Sequence, residues 1–352
     1  MSCIAMQSFL TLLLLSAVVR GQNPCPPYDE IAPCKCVYIS ITEVDIDCRF
    51  AATIDDVFHA FNNISWNFKN MRRFYLGLSE IEELPEGVFG DISFQEIRIT
   101  DNGMLRSIHN TALRASRDRL RVLRMEGNHL NSFPFDILPE MTALTELTLY
   151  NNYLIFVPVI NSDSLELLNL ANNEITFLEE GPWSLPNLRE LRLGGNLVRE
   201  GLPLGLVSSM DSLVTFDCSW TQPNLLIPSG LLEFASDALQ YVYLEGNDMS
   251  NLEPNAISGL TNVTYLSLYG NNIQEVNEDT FKPLLEDVAI QGNGSINLHA
   301  NPLNCGCDMA WLVMNDTFRE MVRGTCRKDG LLVSELDPQV FEELCFKRFL
   351  DF

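Results

Sequence analysis

The chain has 352 residues, 46% of them hydrophobic and 9% aromatic, with 47 acids against 23 bases for a formal net charge of −24. That apolar content is too high for a disordered or fibrous chain. So acidic a balance repels a phosphate backbone and leaves no basic footprint for nucleic acid or an anionic membrane.

In chain order the first element is an apolar run of twelve residues, Ser8 to Val19. It is too short for the ~20 residues of a membrane span and fits the core of a signal peptide, although no Lys or Arg precedes it. Val19-Arg20-Gly21 offers compact residues for cleavage before Gln22, so residues 1–21 are expected to leave and the mature protein to be secreted, extracellular and without a membrane span. Of ten cysteines, Cys3 departs with that segment. Eight of the rest form two clusters: Cys25, Cys34, Cys36 and Cys48 within residues 22–70, and Cys305, Cys307, Cys326 and Cys345 within residues 301–352. An exported chain meets an oxidising compartment, and neither cluster has C-x-x-C or His spacing, so disulfides are expected and a metal is not. The C-x-C neighbours are poorly placed to bond each other, which leaves two pairings open for each cluster.

Between the clusters, residues 71–300 repeat the pattern L-x-x-L-x-L-x-x-N-x-L. Its starts are Met71, Phe94, Leu120, Leu144, Leu165, Leu188, Leu213, Leu239 and Val263, spaced by 21 to 26 residues. The pattern resembles the leucine-rich repeat family, which implies an α/β solenoid: a horseshoe with a parallel concave sheet and about nine to ten units. The residues point the same way. The fourth and sixth positions alternate with polar ones as in a short strand with one buried face, and the Asn can bond the backbone where the chain turns. Asn fills seven of the nine turn positions; Ser79 and Thr221 stand in the others. The unit starting at Leu213 departs most, with Cys218 at an inward position and Pro223 where an aliphatic belongs, which leaves its turn geometry open. Cys218 reads as a small core hydrophobe. Val288-Ile290-Asn293 and Ile296-Leu298-Asn301 compete for the last strand.

An open solenoid exposes core at both ends and needs caps. The leading cysteine cluster resembles the N-terminal cap of extracellular leucine-rich repeat proteins. The trailing run from Asn301 through Pro302, Cys305 and Cys307 to Trp311-Leu312 resembles the C-terminal cap. That second resemblance implies bridges Cys305 to Cys326 and Cys307 to Cys345.

No G-x-S-x-G, H-E-x-x-H or G-x-x-x-x-G-K motif occurs, so neither catalytic residues, nor a metal site, nor a cofactor is expected. The four histidines, His59, His109, His129 and His299, are scattered. Interest falls instead on the third, fifth and seventh strand positions, which face the concave surface. Four bases there, Arg73, Arg98, Arg124 and Arg192, meet six acids, so the acid excess is expected on flanks such as Glu80, Glu82, Glu83, Glu86, Glu179, Glu180, Glu278 and Asp279. Tyr241, Tyr243, Tyr265 and Tyr269 come from adjacent strands and form a candidate interface patch, with cross-strand pairing as the plainer reading. With Arg98, Arg124, Tyr150 and Arg192 they make up the candidate partner-binding set. Arg98, Arg106, Arg114, Arg117, Arg119, Arg121 and Arg124 crowd 27 residues, which reads equally as an acidic-partner dock or a solvated segment. Asn63, Asn262, Asn293 and Asn315 head glycosylation sequons.

The segment from Cys25-Pro26-Pro27-Tyr28 through Pro33-Cys34-Lys35-Cys36 to Asp47-Cys48 narrows the resemblance. It is similar to the secreted arthropod leucine-rich repeat proteins related to the non-catalytic subunit of oplophorus-luciferin 2-monooxygenase, a secreted luciferase. This implies a non-enzymatic protein that binds and stabilises a small catalytic subunit as a hetero-oligomer. The alternative is an extracellular recognition or adhesion protein of matrix or innate immunity.

Overall fold

The structure, a computed structural model, describes residues 23–40, 42–222, 225–289 and 293–346. The apolar leader with its expected cleavage point, Cys3, Pro223 and Ile290 lie outside those residues. One thirteen-stranded sheet runs the length of the solenoid, with its strands adjacent in chain order. They are β1 (Lys35–Ser40), β2 (Glu43–Asp47), β3 (Asn70–Gly77), β4 (Ser93–Thr100), β5 (Val122–Arg124), β6 (Glu146–Thr148), β7 (Leu167–Asn169), β8 (Glu190–Arg192), β9 (Thr215–Asp217), β10 (Tyr241–Tyr243), β11 (Tyr265–Ser267), β12 (Ser295–Asn297) and β13 (Val322–Arg323). The β1–β2 hairpin is antiparallel and every later pair is parallel.

Register follows burial. Leu147, Leu168, Leu191, Phe216, Val242, Leu266 and Ile296 align across successive strands and are all fully buried. A slip of one residue would turn that whole row to water. Behind the strands, Leu84, Phe89, Ile257, Leu260, Phe281 and Leu284 close the core from the convex side.

The turns after β3 to β12 share one geometry. The residue before the ladder Asn sits in the left-handed region: Leu78, Asp101, Gly127, Asn151, Asn172, Gly195, Trp220, Gly246, Gly270 and Ala300, with φ between 53° and 71°. The Asn that follows is buried and serves three groups at once. Asn152 Oδ1 accepts from Leu130 N (3.0 Å), while its Nδ2 donates to Met125 O (2.8 Å) and Leu149 O (3.0 Å). Asn173 does the same between Leu154 N and the carbonyls of Leu149 and Leu170. These backbone groups lie where no strand pairing reaches them, so the amide ladder removes a desolvation penalty at every turn.

One expectation changes and two open points close. The Leu213 unit keeps the common turn: Phe216 and Cys218 point inward, Trp220 takes the left-handed position, Thr221 Oγ1 donates to Cys218 O (2.8 Å), and Thr221 N donates to Asn247 Oδ1 (2.8 Å). Val263, aligned as the inward first residue of its unit, is exposed. Thr264 is buried in its stead, because its hydroxyl can donate to Leu239 O (3.1 Å). The competition for the last strand is settled for Ile296-Leu298-Asn301, since Val288 belongs to a helix, Glu278–Ala289.

Both ends are sealed. At the start, Thr53 caps the helix Ile54–Asn62 in a reciprocal capping box with Asp56. That helix drives Phe61 into a cluster with Phe74, Phe89 and Phe94, at ring separations of 5.5 to 5.8 Å. The N-terminal bridges are Cys25–Cys36 and Cys34–Cys48; the C-terminal ones are Cys305–Cys326 and Cys307–Cys345. Trp311 donates its indole N–H to Val276 O (3.0 Å) and ties the C-terminal cap to the last repeats. Among the described residues no helix is long and apolar enough to cross a membrane.

Replacing Asn152 by Ala leaves one buried N–H and two carbonyls without their amide partner, so a loss of about 3 kcal/mol is expected. Asn272→Ala, at an exposed position one residue beyond the ladder, should stay within about 0.5 kcal/mol. Chemical denaturation of the two variants checks this.

Candidate partner-binding face

The alternation that buries Phe74, Ile97 and Leu123 turns their neighbours outward, and the concave surface is built from those neighbours. Its arginines are engaged within the face. Arg73 and Arg98 share Glu96, Arg124 pairs with Glu146 (2.6 Å), and Arg192 pairs with Glu190 on its own strand. Hydrogen bonds to these carboxylates hold the guanidinium groups of Arg73 and Arg124 all the more firmly in the charged form. Tyr75 lies between Arg49 and Arg98, 5.6 and 6.0 Å from its ring. The N-terminal half of the face is therefore a network of internally matched charge.

Three outward carboxylates have no arginine of their own. Asp217 accepts from Ser219 N (3.0 Å) and Glu245 from Ser267 Oγ (2.6 Å). The Glu126 carboxyl is raised above its ordinary pKa by burial, and its Oε2 is buried without a hydrogen-bond partner among the described residues. The flank acids from Glu80 to Asp279 named above are all exposed.

The structure brings together three of the four tyrosines. Tyr241 and Tyr243 stack at 6.1 Å with planes 2° apart, and Tyr265 meets Tyr243 edge-on at 6.1 Å. Asn297 Nδ2 donates to Tyr265 Oη (2.9 Å) and orients that ring. Burial, followed by the neighbouring Tyr241 and Tyr265, pushes the Tyr243 phenol upward. Tyr269 stands four residues beyond Tyr265, exposed, and makes no ring contact with the others among the described residues. Tyr150 belongs to the middle of the face, where its Oη accepts from Asn172 Nδ2 (3.0 Å). The arginine-rich stretch divides between surfaces: Arg98 and Arg124 lie on the sheet, whereas Arg114 and Arg117 line a cavity with Asp136 and Glu140 on the convex side.

Of the sequon residues, Asn63, Asn293 and Asn315 are exposed and Asn262 is half-buried. The histidines are tied into local structure: His59 with Asn63, His109 with Thr111, His129 edge-on to Tyr153, and His299 with Thr325. Among the described residues no group of three or more His, Cys, Asp or Glu converges as a metal site. Sequence reasoning missed Trp220, 60% exposed beside this face. The signal was available: every other unit but those of Leu78 and Ala300 has Gly, Asn or Asp at that left-handed position.

Leucine-rich repeat models match residues 237–294 and, as two copies, residues 163–204. This is a leucine-rich repeat horseshoe. The chain is similar over its length to the Oplophorus-luciferin 2-monooxygenase non-catalytic subunit of Oplophorus gracilirostris, 25% identical over 336 residues that span 94% of this chain and 91% of that one. It is 31% identical to podocan-like protein 1 of Homo sapiens over 183 residues, 50% of this chain and 35% of the relative. Among solved structures it superposes on an octameric complex of latrophilin 3, Unc5D and FLRT2 with a TM-score of 0.65 and 18% identity, covering 89% of this chain and 98% of that one. That last likeness concerns the fold alone.

Burial also decides the ninth cysteine. Cys218 is free and fully buried, its Sγ 3.2 Å from Thr221 Oγ1, and burial pushes its thiol up to about 12. Little thiolate exists below that pH in the folded chain, and the thiolate is the nucleophile. Iodoacetamide at pH 8 should leave the native protein unlabelled and add one group per chain in denaturant, read by intact mass.

Proposed function

We propose that this chain is a secreted, non-catalytic subunit that holds and stabilises a partner protein on its concave face, in the manner of the accessory subunit of a luciferase-type monooxygenase. The observation that carries the proposal is the likeness to a non-catalytic subunit from one cap to the other. Such end-to-end coverage takes in both caps and the whole binding surface, not merely the repeat period. The disulfide-closed caps suit an extracellular setting.

The face has properties that favour a protein ligand. Ring contacts and the Asn297 bond fix the tyrosines before binding, so little side-chain entropy is lost on contact. The four arginines of the face are outnumbered by its six acids, of which Glu126, Asp217 and Glu245 carry no arginine, so its field is negative, and a net charge of −24 reinforces it. The partner surface that fits is basic with apolar anchors, and the expected assembly is a hetero-oligomer with a small catalytic subunit. The role requires no catalytic residue, metal or cofactor of this chain. The partial likeness to podocan-like protein 1 favours a second reading, extracellular recognition or adhesion in matrix or innate immunity, which needs no stoichiometric catalytic partner.

Native mass spectrometry of the protein drawn gently from its source secretion, with a light-emission assay using a coelenterazine-type luciferin on the same fractions, separates the readings. A small polypeptide in fixed ratio, with emission following the complex, supports the subunit role; a dark, lone monomer sends the search to cell-surface ligands. Replacing Tyr241, Tyr243, Tyr265 and Tyr269 by Ser should weaken the complex at least tenfold with the thermal midpoint kept. Raising salt from 50 to 500 mM should slow association, because attraction between unlike charged faces is screened.

A further inference from the structure

Midway along the horseshoe the outward seventh positions become small. Ala171, Gly194 and Ser219 follow one another between Tyr150 and Glu245, and the chain leaves an open cavity of about 330 Å³ above them. Its walls carry Tyr150 at one end and Trp220 at the other, with Asn169, Asn172, Arg192 and Asp217 between. At ~4.8 Å per strand the two aromatic ends are three strands, or about 14 Å, apart.

Trp220 is held as a platform. Its backbone takes the left-handed turn conformation, φ 56°, and donates its N–H to Glu245 O (2.7 Å). One face of the indole lies on Gly246, where a Cβ would come within 2.3 to 2.5 Å of three ring atoms; the residue as a whole is 60% exposed. The indole thus offers an open aromatic face from a turn position that most units fill with Gly, Asn or Asp. Trp66 and Trp183, by contrast, are buried in the core, and Trp311 is tied to the C-terminal cap.

The polar groups between the rings are rigid and only half used. Asp217 Oδ1 accepts from Ser219 N and Asn169 Oδ1 from Ala171 N, while Asn172 Nδ2 donates to Tyr150 Oη. Asp217 Oδ2, Asn172 Oδ1, Asn169 Nδ2 and Arg192 Nη1 have no partner among the described residues. Donors and acceptors thus alternate at close spacing beside a flat apolar surface.

We propose that this trough binds a neutral saccharide of two or three pyranose units, a function beyond protein-partner binding. A pyranose ring has a C–H face that suits the indole and a rim of hydroxyls that each donate and accept, which matches the four free groups. The alternatives fit less well. A phosphate or sulfate ester meets Asp217 and an Arg192 already neutralised by Glu190. An aliphatic anchor from a protein would cover those polar groups without satisfying them.

The test uses the full mature chain and a panel of neutral oligosaccharides: chitotriose, cellotriose, laminaritriose and mannotriose. At least one should give saturable transfer-difference NMR signals and shift the emission of the exposed Trp220 with the same midpoint. Trp220→Ala, and separately Asp217→Asn, should weaken that binding at least tenfold, with thermal midpoints within a few degrees of the parent confirming the fold. Gly246→Ala, which forces the ring off its seat, should do likewise, while Tyr269→Ser outside the trough should not. Absence of saturable binding across the panel, or binding that survives both Trp220→Ala and Asp217→Asn, overturns the proposal.

Discussion

A repeat of 21 to 26 residues offers a few inward aliphatic side chains on one short strand, and no such unit can withdraw them from water alone. Burial comes only when the next unit stacks in register. That requirement aligns Leu168 with Leu191 and Phe216, and places each turn directly beside its neighbour. Stacked turns bring unpaired backbone groups together in a dry interior, where the ladder amides of Asn152, Asn173 and Asn196 take them up. Hydrophobic stacking sets the direction of the solenoid, and the amide ladder fixes its spacing. A solenoid driven by stacking has two raw ends, so the Phe61 aromatic cluster and the four disulfides are consequences of the same constraint.

The candidate partner-binding surface is what this frame does not use. Every inward position is committed to the core, and the convex segments bring further apolar anchors, which leaves the outward strand positions free to vary. Their variation is not random in space. Arg73 and Arg98 converge on Glu96 at the N-terminal end; small residues open a trough at the centre; tyrosines gather on β10 and β11. A rigid sheet displays these zones side by side without needing a loop to close over a ligand.

The frame was largely legible in the sequence because each repeat states the same constraint. Inward leucines and ladder asparagines recur with a period that neither a helix nor an isolated strand would produce. Where the constraint was met by unusual chemistry, legibility failed. Thr264 fills a place read as Val263 because its hydroxyl finds Leu239 O, a bond invisible to hydrophobic patterning. Thr221 sustains the Leu213 turn by bonding Cys218 O, so the odd unit is not a break. Of the site, the outward residues were readable from alternation, but their pairings were not. The arginine-rich stretch was close in sequence and divides between opposite surfaces, and Trp220 was hidden in the repeat whose pattern was weakest.

The central claim is that the concave face, held rigid by the stacked core, is where the partner protein sits. Hydroxyl-radical footprinting of the free chain against its complex tests this most directly, because Tyr241, Tyr269 and Tyr150 are exposed on that face while Phe50, Phe156 and Leu226 are exposed elsewhere. The account predicts that oxidation of Tyr241 and Tyr269 falls several-fold on complex formation while Phe156 and Leu226 are unchanged. Protection of the second group with the tyrosines unaffected would contradict it.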